Sequence, residues 1–200
     1  MRVAVLVSGS GSNLQALLDA AEADPDFGAE IVVVVSDRPG VKALDRAEAA
    51  GVASAVVPWT GDRASFTTAI CDAVADHGCD TMILAGFMRI LGPEAVMRFP
   101  NRIINIHPSL LPSFAGAHAV PQALAHGVKV TGVTVHFVDE EVDHGPVIAQ
   151  RPVPVEPDDD EATLHSRIQV EEHALLPEVV KAFAHGRLRV EGRVVTWEDA

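Results

Sequence analysis

The chain has 200 residues, 48% hydrophobic and 22% charged, enough for one soluble domain with a sizeable core and short for two. With 15 basic and 28 acidic residues its net charge is −13, which argues against nucleic acid or an anionic membrane as a partner, because both are themselves negative. Only Cys71 and Cys79 are present and they form no CxxC pair, so reduced thiols rather than a disulfide framework are expected, and both read as small packed hydrophobes.

The N-terminal stretch MRVAVLVSGSGSN has no signal-peptide apolar core or cleavage site. No apolar run reaches the roughly 18 residues that cross a bilayer. A cytoplasmic location is expected.

Residues 3–7 form a first strand and 13–23 a first helix. Residues 30–36 (EIVVVVS) are a second strand, apolar throughout as expected when both faces are covered. A helix over 41–50 closes at Gly51, residues 53–57 form a third strand, and a helix over 63–76 ends at His77-Gly78. Two more buried strands follow at 81–85 and 103–106. The alternation is that of βαβ units and a mostly parallel sheet.

Beyond residue 106 the pattern changes. Pro108, Pro112 and Gly116 puncture the loop HPSLLPSFAGAH, ahead of a short helix at 122–125. Residues 130–138 and 147–153 alternate like antiparallel strands, separated by DEEVDHGP. Asp158 to Asp160 cap a helix running to about Ala184, with Leu164, Ile168, Leu175, Val179 and Phe183 on one stripe. Pro177 is expected to kink that helix or split it in two. Residues 188–197 read as a hairpin turning at Glu191-Gly192. The fold class is α/β: a mostly parallel twisted sheet flanked by helices, with antiparallel strands toward the C-terminus. One domain over 1–200 is expected.

Three segments carry candidate chemistry. SGSGSN, Ser8 to Asn13, joins a strand to a helix. Its glycines permit a tight turn, and the helix start offers unpaired N–H groups to an anion such as a phosphate monoester. The plain alternative is a turn with serine as N-cap. A dinucleotide fingerprint needs glycine where Leu14 stands, although Asp37 at the end of the second strand imitates its ribose-binding acid. The second segment is NIHPSLLP, in which Asn105 and His107, two apart on a strand, point the same way. They present an amide donor and a titratable imidazole at a carboxyl end of the sheet, where ligands collect. The third is Asp143 in VDHGP, a carboxylate set between Val142 and the rigid Gly145-Pro146. Its neighbours Asp139, Glu140 and Glu141 read largely as a solvated turn, and spacing alone does not say whether Asp143 meets His107. No histidine pair has zinc spacing and no GxSxG elbow is present, so neither a metal site nor a serine hydrolase is indicated. His165 and His173 read as surface residues.

VLVSGSGSNLQALLDA, LAGFMRILGPEAV, NIHPSLLPSF, TVHFVDEEVDHGPVIAQ and EEHALLPEVV together span nearly the whole chain. They resemble the folate-dependent formyltransferases, in the branch that formylates glycinamide ribonucleotide in purine synthesis. The resemblance implies a Rossmann-like fold, with a phosphate-binding half at about 1–100 and a folate-binding and catalytic part at about 80–200. It implies that Gly11, Ser12 and Asn13 bind the substrate phosphate, and that Glu172 with Gln169, Val170 and Glu171 lies at the ribose. It further implies that Met88, Arg89, Ile90 and Leu91, and Asp139, Glu140, Glu141, Val142 and Asp143, enclose the pterin, with Asn105 beside it and Arg63 at the folate tail. Asn105, His107 and Asp143 are the implied catalytic trio. 10-Formyltetrahydrofolate is then a cosubstrate, with no tightly bound cofactor and no metal, and a monomer or homodimer is expected. The chain departs from the family at Ala115, where proline commonly precedes Gly116, which loosens that loop, and at Pro121, which suits a first helical turn. His118 is retained and is expected to approach the substrate. The competing readings are a methionyl-tRNA formyltransferase, for which a further C-terminal domain and a basic surface are expected, a formyltetrahydrofolate hydrolase with a regulatory N-terminal domain, and a nucleotide-binding regulatory module.

Overall fold

The structure, a computed structural model, describes residues 1–198; the last two residues of the expected domain lie outside the described ones. The chain forms two compact units, Met1–Asn105 and Ile106–Ala200.

The first unit alternates strand and helix: β1 (Arg2–Val7), α1 (Ser12–Ala23), β2 (Glu30–Ser36), α2 (Lys42–Ala49), β3 (Ala53–Val56), α3 (Arg63–Asp76), β4 (Thr81–Leu84), α4 (Pro93–Arg98) and β5 (Ile103–His107), which runs on past the unit boundary. Its strands are parallel in the order β3-β2-β1-β4-β5. Val3 to Val7 and all of β4 are buried, which is why these segments are apolar without alternation. The order reverses between β1 and β4, so the loops leaving those two strands border a switch point, the usual ligand crevice of an open α/β sheet. Helix α4 escaped the sequence reading. Its cues are short but regular, with Pro93 opening it, Glu94 in its first turn and Arg98 in its last. Cys71 and Cys79 are free and buried, and burial pushes the Cys71 thiol up to about 11.

The second unit holds α5 (Ala119–His126), β6 (Val130–Phe137), β7 (Val147–Pro154), α6 (Glu161–Ala184), β8 (Leu188–Glu191) and β9 (Val194–Trp197). β6 and β7 are antiparallel with an irregularity at Val135/His136, β8 and β9 form the expected hairpin, and β9 lies parallel to β7. Thr131 through Phe137 are all buried, so β6 is covered on both faces rather than alternating. Helix α5 is longer than expected, closing at Gly127 in the left-handed conformation, and Pro121 falls in its first turn. Asp160 and Thr163 form a reciprocal capping box at the start of α6. Of the two outcomes expected at Pro177, the split does not occur: α6 runs through the proline as one helix. Leu175, Leu176, Val179 and Val180 on either side of the proline are buried, and burying side chains of this size is worth about 1.5–3 kcal/mol each, against about 3 kcal/mol for a helical proline. The expectation for His165 and His173 also shifts: both are half-buried on α6.

Candidate active site

In the first unit, Gly11 is the N-cap of α1, with φ 70° and ψ 32°, and no side chain caps that helix. The first turn holds no acidic residue. The serine N-cap alternative is therefore not what forms, and the leading N–H groups keep their capacity for an anion. A Cβ on Gly11 would lie 2.7 Å from Ala43 Cβ, so α2 presses directly on the turn. Arg46 of α2 holds it from outside, donating to Ser10 O at 2.9 Å and to Gln15 Oε1 at 2.7 Å.

The loop leaving β4 is pinned along its length. Phe87 stacks on Phe66 with centroids 6.2 Å apart. Met88 N–H donates to Ser8 Oγ at 2.9 Å, and Gly92 N–H to Thr67 Oγ1 at 2.8 Å. Arg63 donates to Leu91 O through both Nε and Nη2, so its head group lies on this loop. Met88 and Ile90 nevertheless expose 69% and 53% of their surface while Leu91 is buried; a rigid backbone presents two large apolar side chains outward. Asp37 is not offered to a ribose. Its side chain is fully buried and takes Arg89 Nε at 2.7 Å.

In the second unit, His107 and Asp143 come together. His107 Nε2 lies 2.9 Å from Phe114 O; a carbonyl only accepts, so Nε2 carries the proton and Nδ1 is the nitrogen left for proton traffic. Nδ1 is 3.4 Å from Asp143 Oδ2. Gly116 N–H donates to that same oxygen at 2.7 Å. A second imidazole, which sequence reasoning missed, stands on the other side: His136 Nε2 is 3.7 Å from Asp143 Oδ1, and its Nδ1–H donates to Phe137 O at 2.8 Å. Burial alone would raise the Asp143 pKa, yet it is lowered, because the nearby His136 imidazole, the His107 charge and the Gly116 N–H outweigh desolvation. The only trace of His136 in the sequence is its place in the VTVHFV strand just before the acidic loop.

Phe114, His118 and Asp143 all have positive φ, at 55°, 66° and 52°. Such conformations in non-glycine residues cost about 1–3 kcal/mol each and gather at functional sites. The loop after His107 is held from beneath: Leu111 N–H donates to Thr134 Oγ1 at 3.0 Å, and the Thr134 hydroxyl to Ser109 O at 2.7 Å. His118, the N-cap of α5, is exposed.

The remaining positions sort as follows. Asn105 sits half-buried on β5, two residues before His107. On α6 Val170 is 66% exposed, Glu171 pairs with Arg151 at 3.4 Å, and Glu172 is buried at 5% exposure. Gln169 is half-buried. Asp139 does more than solvate its turn, accepting from Glu141 N–H at 3.0 Å and meeting His144 Nδ1 at 2.8 Å. Glu140, Glu141 and Val142 are exposed. Among the described residues no His/Cys/Asp/Glu group is arranged to hold a metal ion, and no helix is long and apolar enough to cross a membrane.

Residues 1–180 match the family model described as formyl transferase, and the chain belongs to that family. Within it, the chain is similar to phosphoribosylglycinamide formyltransferase of Mycobacterium tuberculosis, 48% identical over 197 residues that cover 98% of this chain and 90% of that one. It is also 46% identical over 197 residues, 96% of the chain, to the bovine (Bos taurus) trifunctional purine biosynthetic protein adenosine-3, of whose length those residues span only 19%. The crystal structure of glycinamide ribonucleotide transformylase 1 from Symbiobacterium toebii superposes with a TM-score of 0.96 at 46% identity, covering 100% of this chain and 94% of that one.

Proposed function

We propose that this chain moves a formyl group from 10-formyltetrahydrofolate to the primary amine of glycinamide ribonucleotide. The observation that carries the reading is the 48% identity, over nearly the full length of both chains, to a phosphoribosylglycinamide formyltransferase. The approach of His107 Nδ1 to Asp143 supports it.

The amine nitrogen attacks the formyl carbon, and the carbonyl oxygen takes up negative charge. Asn105 and a protonated His107, through Nδ1–H, donate to that oxygen; oxyanion donors are each worth about 2.7–4 kcal/mol. Collapse breaks the bond from carbon to N10 of the folate, and a proton passes from the attacking amine to N10, with Asp143 as the relay through water. Asp143, ionised, holds His107 oriented. Gly11, Ser12 and Asn13 hold the substrate phosphate, and Glu172 its ribose hydroxyls. Residues 88–91 and 139–143 receive the pterin. The folate is a cosubstrate, no resident cofactor takes part, and the chain works as one cytoplasmic formyltransferase domain, as a monomer or homodimer.

The test mixes purified protein with both substrates and follows tetrahydrofolate release. Release is expected only when glycinamide ribonucleotide is present. His107→Ala and Asp143→Ala should each lower kcat by about 10²–10⁴-fold, the usual span of acid–base catalysis, with unfolding transitions that stay cooperative. Release without the ribonucleotide would replace the reading with a hydrolase, and NAD binding without formyl transfer with a regulatory module.

A further inference from the structure

We propose that Asp37 is a positioning residue for folate recognition, acting through Arg89 to fix residues 88–91 before the ligand arrives; this rests on the reading that those residues receive the pterin. Asp37 directly follows β2, and its side chain is wholly buried. Burying a carboxylate is costly unless it is paired and hydrogen-bonded. The partner is Arg89, whose Nε–H donates at 2.7 Å across 52 residues of sequence. Arg38, at 3.5 Å, is the more exposed and more distant second cation.

The guanidinium of Arg89 is held from a second direction. It lies 5.3 Å from the centroid of Trp59, within cation–π range. Trp59 meets Phe66 edge-on at 5.1 Å, and Phe66 stacks on Phe87, so the aromatic chain returns to the residue that opens the same loop. Ser8 ties the loop down too, accepting from Met88 N–H. Desolvation would raise the Asp37 pKa, yet it is lowered, with the Arg89 and Arg38 guanidiniums among the groups that hold the carboxylate below its usual range. Ser8 is also the first residue of the glycine-rich turn. One buried acid therefore organises the loop that presents Met88 and Ile90, and does so without touching a ligand. A loop ordered in advance has less conformational entropy to lose on binding, and that difference appears as affinity for the molecule the loop receives.

The substitution that isolates the charge is Asp37→Asn, which keeps shape and one acceptor oxygen. The KM for 10-formyltetrahydrofolate should rise about tenfold, while kcat and the KM for glycinamide ribonucleotide stay within about twofold; a merely structural role would move all three together. Binding of tetrahydrofolate alone, measured by calorimetry, should weaken to the same degree. Arg89→Lys keeps a cation and loses the Nε–H, and serves if Asp37→Asn does not fold; the same selective rise is expected. In the double variant the two effects should not add, because both remove one contact. An unchanged folate KM in whichever variant folds, or additive effects, overturns the proposal. If the wild type neither binds tetrahydrofolate nor transfers formyl, the functional reading itself fails, and amide exchange of residues 88–92, which should quicken in Asp37→Asn, still decides whether Asp37 orders the loop.

Discussion

Replacing Gly11 with alanine tests the anion cradle through a contact whose size is known. The backbone there has φ +70°, and an added Cβ would sit 2.7 Å from Ala43 Cβ and 2.8 Å from Ala43 Cα, well inside van der Waals contact. Placing an L-residue in the left-handed region costs about 1–2 kcal/mol, and forcing extra volume into a packed contact about 1–3 kcal/mol. Gly11→Ala should therefore lose about 2–5 kcal/mol of stability if the turn keeps its place. If the turn moves instead, the strain is relieved at the expense of the N–H array, and since about 1.4 kcal/mol is tenfold in affinity, the KM for glycinamide ribonucleotide should rise at least tenfold with the folate KM unchanged. Urea unfolding and steady-state kinetics on one preparation read both quantities. Adding Ala43→Gly removes the 2.7 Å contact and leaves the one to Cα, so it should restore part of the loss and not all of it. A Gly11→Ala protein with both stability and KM at wild-type values would refute the reasoning.

His136→Gln removes one of the influences that lower the Asp143 pKa; the carboxyl should then take up its proton at a higher pH, and the acid limb of the kcat profile should move upward, whereas an unmoved limb would separate His136 from Asp143. The sign for stability is the same: a depressed carboxylate contributes fully above its unfolded value and loses that contribution as pH falls through its folded one, so the wild type should resist mild acid better than His136→Gln. Gly132→Ala places a Cβ 2.1 Å from Arg151 O and 2.7 Å from Leu110 Cδ2; the half-buried leucine can shift but the sheet backbone does not yield at no cost, and a loss of about 3 kcal/mol or more is expected in thermal or urea unfolding, at the upper end of the over-packing range.

Much of this protein was legible in its residue order, and the reason is local. Continuous apolar runs such as EIVVVVS mark strands covered on both faces, the glycines of SGSGSN mark a tight turn, and Asp158 to Asp160 mark the start of α6, because each depends on backbone preferences spanning a few residues. Asn105, His107 and Asp143 stood out for a similar reason, lying in short motifs whose chemistry is readable in place. What needed tertiary structure were contacts between residues far apart in the chain. Asp37 reads as a ribose-binding acid until Arg89, 52 positions away, is found upon it. His136 reads as one more strand residue until the Asp143 loop turns back with positive φ and brings its carboxylate between two imidazoles. Pro177 breaks a helix considered alone, yet the buried side chains around it hold α6 in one piece. Local propensity is written along the sequence, but the partner of a buried charge or a buried face is chosen only when the chain folds back on itself.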